Sequence, residues 1–271
     1  MFNVTKTHVV QEYLSDPFLI ENLKFDFRVY VVLVSLDPLE MYISKEGLAR
    51  FCTIPYEHPT NRNIGDVYMH LTNYSLNKYS ETYLHTESED DGSKRTMSSV
   101  FKKITAKGYD VDKMWDEVKK MVVKTVIAME GELKVEFRAV LPPHKAGPGC
   151  FQVIVCVLIY KYICLIFAAR LCKLLVLTPS VFNYGCCNVV SDSNKRCSSH
   201  QILGFDVLLT DECKPILLEV NASPSLRIDF DREVAPGIYE HVFSPVDEEI
   251  KKPLVFDTLL LVSPKGKKSS K

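Results

Sequence analysis

The sequence predicts an α+β fold in which a mixed or antiparallel sheet is flanked by helices. A long β-branched run, DFRVYVVLVS at 26–35, is typical of a central strand that is covered on both faces. The runs ILGFDVLL and PILLEV, joined by TDEC, have the pattern of a β-hairpin. Between Val111 and Met129, apolar residues recur at three- and four-residue steps, as in an amphipathic helix. With 271 residues and 46% hydrophobic side chains, the chain can bury the core of one or two domains.

The N-terminal half is rich in predicted strands. A short apolar run lies at 8–14, and two strands after the central one flank Lys45–Gly47, which resembles a hairpin turn. The run VYMHLTNYSLNK at 67–78 ends this β-rich part. Residues 80–95 are polar and are expected to form a mobile surface loop.

The C-terminal half begins with the helix and ends with a second helical stretch. The breaker PPHKAGPGC separates the first helix from the next segment of the chain. The stretch from Asp247 to Val262 is expected to be helical until Pro253, because proline disrupts a helix interior. The basic tail at 263–271 is expected to be a disordered end.

The segment 153–201 differs in character from the rest of the chain. Its apolar run is nearly long enough to span a bilayer, and a membrane-tethering helix over 157–177 is one interpretation. Three basic residues interrupt that run at costly depths, however, and the residues after it have no periodicity. An insertion foreign to the fold is therefore the preferred interpretation.

Composition limits the classes of function. A net charge of −1 gives no global field that attracts nucleic acid or membrane, so neither is expected as a partner. Nine cysteines, an odd number without paired CxxC motifs, indicate a reducing, cytosolic compartment and no zinc site. The N-terminus lacks the features of a secretory signal, which agrees with that expectation.

Three oxygen-bearing side chains converge in the predicted hairpin. Strand alternation places Glu219 and Asn221 on one face together with Leu217. A hairpin loop of two or four residues pairs Asp206 with Leu217, which puts Asp206 one diagonal step from Glu219. Oxygen donors in this arrangement suit Mg²⁺. The alternative is that the acids are strand-end carboxylates, bonded to loops or paired with arginines.

The run KFDFR has the same alternation. Lys24, Asp26 and Arg28 share one face, and Phe25 and Phe27 occupy the other. Cations at the start of a buried strand are costly unless they meet anions, for which phosphate and carboxylate groups are natural candidates. An edge strand with an internal salt bridge remains an equal alternative.

Seven stretches in a fixed order carry a family resemblance. They are VVQEYLSDPFLI, KFDFRVYVVL, EGLARF, MHLTNYSLNK, GSKR, LGFDVLL and KPILLEVNASPSL. Together these stretches resemble the tubulin tyrosine ligase-like family of ATP-grasp enzymes, which join amino acids to tubulin tails. The resemblance covers 8–152 and 202–262. The stretches KPILLEVNASPSLRID and PVDEEIK are most similar in sequence to the polyglutamylase branch.

The resemblance implies a partial ATP-grasp ligase domain, whose central and C-terminal parts would be formed by 1–152 and 202–262. It also implies a role for individual residues of the matching stretches. The adenine linker would be Gln11, Glu12, Tyr13 and Leu14; further nucleotide contacts would be Lys24, Asp26, Thr72 and Asn73. The incoming amino acid would be held by Arg50, Tyr74 and Lys94, with Arg50 and Lys24 as catalytic residues. The magnesium ligands would be Asp206, Glu219 and Asn221.

The resemblance also implies an activity. ATP and two Mg²⁺ ions would support ligation of free L-glutamate to glutamate side chains in the acidic C-terminal tails of tubulin, through an acyl phosphate. A location in the cytoplasm, on the cytoskeleton, at a cilium or basal body would follow. The alternatives are a truncated, inactive tubulin-binding pseudoenzyme and a glycine-adding ligase of the same family.

Two departures from the family pattern accompany the resemblance. The family's N-terminal region and part of its central domain, with a phosphate-gripping loop, have no counterpart in this sequence. In the family, the equivalents of CFQ at 150–152 and of ILGFD from Ile202 onward are contiguous. The extra 49 residues begin with valine, whose codons start with GT, and end with glutamine, which CAG can encode. We therefore hypothesise that 153–201 is translated intron or the product of a gene-model error.

Overall fold

One long strand organises the structure. The computed structural model of the protein describes residues 11–84, 92–140, 150–151, 199–235 and 237–262. Within these residues the main sheet has eight strands, and its central strand β2 (Leu23–Leu36) has 14 residues.

The described residues form ten strands and five helices. The strands are β1 (Leu19–Ile20), β2 (Leu23–Leu36), β3 (Leu39–Ile43), β4 (Leu48–Phe51), β5 (Lys94–Thr96), β6 (Cys150–Phe151), β7 (Ser199–Leu209), β8 (Pro215–Asn221), β9 (Asp229–Ala235) and β10 (Ile238–Phe243). The helices are α1 (Val67–His70), α2 (Tyr74–Asn77), α3 (Met97–Ala106), α4 (Val111–Val140) and α5 (Pro245–Val262).

The sheet is mixed, as predicted. Its order is β5-β4-β2-β7-β6, with β1 and β3 also paired to β2 and with β8 paired to β7. All these pairs are antiparallel except β6 with β7, which is parallel. Strands β9 and β10 form a separate antiparallel ribbon.

The turn expected at Lys45–Gly47 is not a hairpin turn. Strands β3 and β4 both pair with β2, β3 along its second half and β4 along its first half, and therefore follow one another along the same edge. A Cβ atom on Gly47 would lie 2.5 Å from the backbone oxygen of Arg28. Glycine thus permits the close approach that brings β4 back against β2.

The two faces of the sheet are covered by different helices. Phe25, Phe27 and Val29 of β2 belong to the main buried cluster, together with residues of α3 and α4 such as Val100 and Val118. On the other face, Tyr30 and Val32 pack with Val246, Ile250 and Leu254 of α5. The alternation predicted for KFDFR is confirmed: its aromatic side chains enter the core, and its charged side chains lie on the α5 face.

The long helices extend further than the sequence predicted. Helix α4 buries Met114, Val118, Val122 and Met129, as its periodicity indicated, and continues to Val140. The expectation that the last helix stops at Pro253 is wrong, because α5 continues through the proline to Val262. Buried side chains on both sides of that residue hold the helix against the sheet, and this tertiary packing outweighs the missing hydrogen bond.

Several other local predictions are also wrong. The run 67–78 contains the short helices α1 and α2 rather than a strand, and residues 11–14 have no regular structure. Lys94 to Thr96, at the end of the expected loop 80–95, form strand β5 against β4. Residues 8–10 and 85–91 lie outside the described residues.

The β7–β8 hairpin forms with a different register from the predicted one. Asp206 lies opposite Glu219 and not opposite Leu217. The loop has three residues, because the amide of Thr210 donates to the carbonyl of Lys214, and Cys213 has a φ of 62°. A bulge between Asp206 and Val207 then shifts the register further.

The predicted insertion 153–201 meets the described structure only at its C-terminal end. Residues 152–198, which include the suggested membrane segment 157–177, lie outside the described residues. Ser199–Gln201 form the start of β7, where Gln201 pairs with Leu33. Across the described ranges, no helix is long and apolar enough to cross a membrane. The intron hypothesis stays a prediction.

Candidate active site

A network of buried charges lies on the α5 face of the sheet. The register pairs Asp26 of β2 with Arg50 of β4, and Arg28 of β2 with Asp206 of β7. Arg50 donates to both carboxylate oxygens of Asp26, from Nε at 2.9 Å and also from Nη2, and it donates from Nη2 to Asp206 Oδ2 at 2.7 Å. Arg28 donates to both oxygens of Asp206, at 2.8 Å from its Nη2. Four charged side chains from three adjacent strands therefore alternate in sign.

Mutual neutralisation makes this network possible. Asp26 and Asp206 are each 1% exposed and Arg50 is 8% exposed, so an unpaired charge here would be costly. Burial acts to lower the pKa of Arg50, but the adjacent carboxylates outweigh it and raise that pKa. Burial likewise acts to raise the pKa of Asp206, whereas Arg50 and Arg28 hold it below its usual value. Arg50 and Asp206 are thus both charged at neutral pH.

Strand pairing brings the three predicted magnesium ligands together. Glu219 lies directly across from Asp206, and the Asn221 amide nitrogen donates to Glu219 Oε1 at 3.0 Å and to Asp206 Oδ2 at 3.4 Å. Burial, and then a hydrogen bond to Asp206, raise the pKa of Glu219. Asp206 therefore favours its charged form, and a charge on Glu219 beside it is disfavoured.

This donor set fits a hard divalent cation. Within the described ranges no group of three or more His, Cys, Asp or Glu side chains could hold a metal, so the set is two carboxylates and one amide. Oδ2 of Asp206 accepts from Arg28, Arg50 and Asn221, whereas Oδ1 accepts from Arg28. Acceptor capacity for a cation therefore lies on Oδ1. A cation held by the two carboxylates would favour the charged form of Glu219 and so offset the burial and the Asp206 contact that raise its pKa. Oxygen donors of this kind suit Mg²⁺.

Lys24 lies at the centre of a second polar cluster. Its ammonium donates to the backbone carbonyl of His70 at 2.9 Å and to the Tyr13 hydroxyl at 3.1 Å. The Tyr13 hydroxyl contacts His70 Nδ1 at 2.8 Å, and His70 Nε2 contacts the carbonyl of Asn63 at 3.1 Å. A carbonyl only accepts, so His70 donates from Nε2 to Asn63, and in the tautomer with a bare Nδ1 that atom accepts a hydrogen bond from the Tyr13 hydroxyl. Burial lowers the pKa of Lys24.

The remaining predicted nucleotide residues surround these clusters. Gln11 donates from its side chain to the carbonyl of Leu218, which places the predicted linker beside β8. Glu12 is exposed and Leu14 is half-buried. Thr72 is buried, and Asn73, which is exposed, precedes the first residue of α2.

Sequence reasoning missed two residues that hold this region. His70 orients Tyr13 and Lys24 through the contacts of its ring and its carbonyl. Asn77 is fully buried and donates to the carbonyls of Leu71 at 2.6 Å and Asn73 at 3.1 Å, which fixes the turn that carries Thr72. The available signal was the polar run HLTNYSLN itself, since buried amides need partners.

The three predicted amino-acid-binding residues share one cavity. It has a volume of about 220 Å³ and lies next to the charge network. Its lining is Arg28, Tyr30, Leu48, Arg50, Tyr74, Lys78, Lys94, Ser225, Arg227, Asp229, Phe230, Asp231, Asp247 and Lys251. The ammonium of Lys94 lies 4.0 Å from the centre of the Tyr74 ring, a cation–π contact. Burial raises the pKa of Tyr74 to about 12. The lining carries six cationic side chains against three carboxylates, and this balance favours anionic ligands.

Comparison with known proteins shows the family of the chain. The family model described as Tubulin-tyrosine ligase family matches residues 2–159 and 173–263. The chain belongs to the tubulin-tyrosine ligase family. The unmatched residues 160–172 of this family member lie within the predicted insertion 153–201.

Curated relatives carry more specific names. The chain is 44% identical over 260 residues to Tubulin polyglutamylase TTLL11 of Homo sapiens, covering 96% of this chain and 30% of the relative. It is 38% identical over 269 residues to Tubulin polyglutamylase ttll-11 of Caenorhabditis elegans, with 96% and 31% covered. It is 31% identical over 264 residues to the Probable beta-tubulin polyglutamylase of Tetrahymena thermophila, with 96% and 17% covered. The chain thus spans less than a third of the length of these relatives.

Proposed function

We propose that this chain forms part of a tubulin polyglutamylase, which uses ATP and Mg²⁺ to ligate free L-glutamate to glutamate side chains in tubulin C-terminal tails. The observation that carries the proposal is the adjacency of two features on one sheet face. A carboxylate–amide cluster of Asp206, Glu219 and Asn221 adjoins a cationic cavity that contains Arg50 and Lys94. Family membership and the names of the relatives support the same function.

The residues divide into three roles. Lys24 and Asp26, with the segment Gln11–Leu14 and with Thr72 and Asn73, would bind the nucleotide. Asp206, Glu219 and Asn221 would hold magnesium, which when bound neutralises charge on the phosphates of ATP. Two ions are expected. Arg50 and Lys94 would bind carboxylate groups of free glutamate beside Tyr74, because a guanidinium and an ammonium at the wall of a cavity suit an amino dicarboxylate.

The proposed chemistry needs no protein nucleophile. The terminal phosphoryl group of ATP moves to a carboxylate oxygen of a tubulin glutamate, and ADP leaves. The deprotonated α-amine of free glutamate then attacks the acyl carbon, the bond to the phosphate oxygen breaks, phosphate leaves, and the amine proton passes to solvent. The protein contributes position and charge neutralisation, with Lys24 and Arg50 as the proposed catalytic cations.

The experiment measures ATP-dependent incorporation of labelled L-glutamate into tubulin by the 271-residue chain. Incorporation that requires Mg²⁺, and that is lost on tubulin without its C-terminal tails, is the expected result. Labelled glycine in a parallel reaction distinguishes the glycine-adding alternative. Tubulin binding without incorporation would contradict the ligase and support the inactive, tubulin-binding alternative.

Two glutamate variants test the site within the same assay. Glu219→Gln should abolish ligation by a folded protein, because a neutral amide is a poor magnesium ligand. Glu212→Gln, in the exposed loop of the same hairpin, is the matched control and should retain activity. Equal activity of the two variants would refute the metal role of Glu219.

The proposal includes a cytoplasmic, cytoskeletal location, at a cilium or basal body. Immunofluorescence of the tagged chain against a microtubule marker tests it. Exclusion of the tag from microtubule structures would contradict it.

A further inference from the structure

Lys94 is held in the cavity by a helix far from it in sequence. Its ammonium lies 2.7 Å from Asp247 Oδ2, and Asp247 belongs to the first turn of α5. The Ser244 hydroxyl donates to the same oxygen at 2.7 Å, and the ammonium of Lys251 lies 2.7 Å from Oδ1. Asp247 therefore contacts two cations and one hydroxyl.

A helix cap alone does not account for this carboxylate. An acidic residue in the first turn of a helix is stabilising at an exposed position. Asp247, in contrast, is 2% exposed and Lys251 is 5% exposed, so both charged groups have left water. Burial acts to raise the pKa of Asp247, but Lys94 and Lys251 hold it below its usual value, so the carboxylate is ionised. Buried ion pairs often add little stability over apolar residues, so their placement is a sign of another role.

Lys94 would be mobile without these contacts. A lysine side chain has many rotamers, and fixing its ammonium at one point requires partners on more than one side. Asp247 supplies one partner and the face of the Tyr74 ring supplies the other. The cluster of Lys94, Lys251 and Asp247 keeps one net positive charge, so it still attracts a carboxylate.

We propose that Asp247 is a positioning residue that holds the Lys94 ammonium against Tyr74, ready to receive a carboxylate of the free amino acid. This inference rests on the proposed function, which assigns Lys94 to the amino acid. It extends the site to α5, a helix on which the sequence predicted no site residue. Lys251 neutralises the second oxygen of Asp247 and donates to the carbonyl of Arg227 at 2.7 Å, which ties the start of the β9–β10 ribbon to the same point.

The test measures L-glutamate binding to the full chain by isothermal titration. Asp247→Asn should weaken binding about tenfold, the loss expected when one charge-assisted contact no longer fixes its partner. Glu248→Gln is the matched control, because it removes the other carboxylate of the same first turn, which pairs with the exposed Lys252, and leaves the Lys94–Asp247 ion pair. Its affinity should stay within about twofold of the unchanged chain, a difference of only a few tenths of a kcal/mol by the tenfold rule.

A double variant distinguishes the loss of the Lys94 anchor from misfolding caused by an unbalanced buried charge. Asp247→Asn with Lys251→Met removes one buried charge of each sign, so the core stays balanced while Lys94 still loses its anchor. It should bind L-glutamate as weakly as Asp247→Asn alone. Unchanged affinity in a folded Asp247→Asn or double variant would overturn the proposal, as would an equal loss in Glu248→Gln.

The NMR resonance of the Lys94 ammonium tests the Lys94–Asp247 contact independently of the proposed function. In ¹⁵N-lysine-labelled protein, assigned with Lys94→Arg, the signal should be protected from exchange and should disappear in Asp247→Asn. Failure of the unchanged chain to bind L-glutamate would overturn the proposed function, and the resonance would then decide the Asp247 contact alone. A resonance that Asp247→Asn leaves unchanged would overturn that contact.

Discussion

Removal of Arg50 is the sharpest test of the buried charge network. Arg50 bridges Asp26 and Asp206, and its side chain is 9% exposed. In an Arg50→Met variant, Asp206 keeps Arg28, but Asp26 loses its guanidinium partner and remains a buried carboxylate. Breaking a buried pair by removing one partner costs about 3–5 kcal/mol of unfolding free energy. We expect a loss of that size for Arg50→Met.

A lysine at this position should give an intermediate loss. Arg50→Lys keeps a positive charge, but an ammonium cannot reproduce the forked contact with both oxygens of Asp26. A lost hydrogen bond between charged groups costs about 1.5–3 kcal/mol, which is our expectation for this variant. The matched control is Arg232→Met, which breaks an exposed ion pair with Glu240 at 2.9 Å in the β9–β10 ribbon. Exposed pairs contribute about 0–1 kcal/mol.

The assay is urea unfolding of the three variants and the unchanged chain at neutral pH, monitored by far-ultraviolet circular dichroism. The order of loss should be Arg50→Met, then Arg50→Lys, then Arg232→Met. The gap between Arg50→Met and the unchanged chain should narrow below about pH 4, because protonated aspartates no longer need a cation. A loss for Arg50→Met that equals the loss for Arg232→Met would refute the buried-network reasoning.

Three further predictions concern the metal site, pH and backbone packing. The raised pKa of Glu219 means that its negative charge opposes folding at a pH above that pKa. Glu219→Gln should therefore raise the melting temperature of the metal-free chain at neutral pH and remove the stabilisation that Mg²⁺ gives the unchanged chain. An equal rise in melting temperature on adding Mg²⁺ to both proteins would contradict this. The pKa values of Asp206 and Asp247 are lower in the folded chain than the value of about 4 expected in the unfolded chain, so both carboxylates stabilise the fold above that pH. The free energy of unfolding should fall as the pH decreases below about 4 and the two groups become protonated. A free energy of unfolding that stays constant over this acid range in urea titrations would exclude the contribution. Gly47→Ala should lower the free energy of unfolding by about 1–3 kcal/mol, because the new Cβ atom meets a backbone oxygen. Gly131→Ala, in open space on α4, should raise it by about 1 kcal/mol. Urea unfolding that shows a change of the same sign for both variants would disprove the packing argument.

The sequence predicted the sheet face that carries the site because strand alternation is a local property. In KFDFR, two aromatic residues and three charged residues alternate, and only one arrangement buries the aromatics. The same rule brought Glu219 and Asn221 to one face of β8. The register that places Asp206 opposite Glu219 could not be predicted from the sequence. It depends on the left-handed conformation of Cys213 in the loop and on a bulge beside Asp206, and neither feature has a distinct sequence signal.

Elements held by distant contacts escaped prediction for a different reason. Several apolar side chains of the β9–β10 ribbon are exposed, among them Val234, Ile238 and Phe243, and cross-strand pairs such as Arg232 with Glu240 support the ribbon. The importance of Asp247 depends on Lys94, which lies 153 residues earlier in the chain. A local pattern places Asp247 at the start of a helix and carries no information about its partner.

The charges of the site explain why it should bind its anionic ligands together with a divalent cation. Within the described residues, the six cations that line the cavity face six carboxylates: Asp26, Asp206, Glu219, Asp229, Asp231 and Asp247. With every group ionised, the site is neutral and most of its cations are already paired. Phosphate groups and an amino dicarboxylate would therefore meet a cationic cavity wall within a site whose total charge is zero. A magnesium ion held by Asp206 and Glu219 would supply two positive charges beside Glu219, whose charged form is disfavoured by burial and by the neighbouring Asp206. The buried arginines would then serve to keep the two carboxylates in place, and the cation would provide the attraction for the nucleotide.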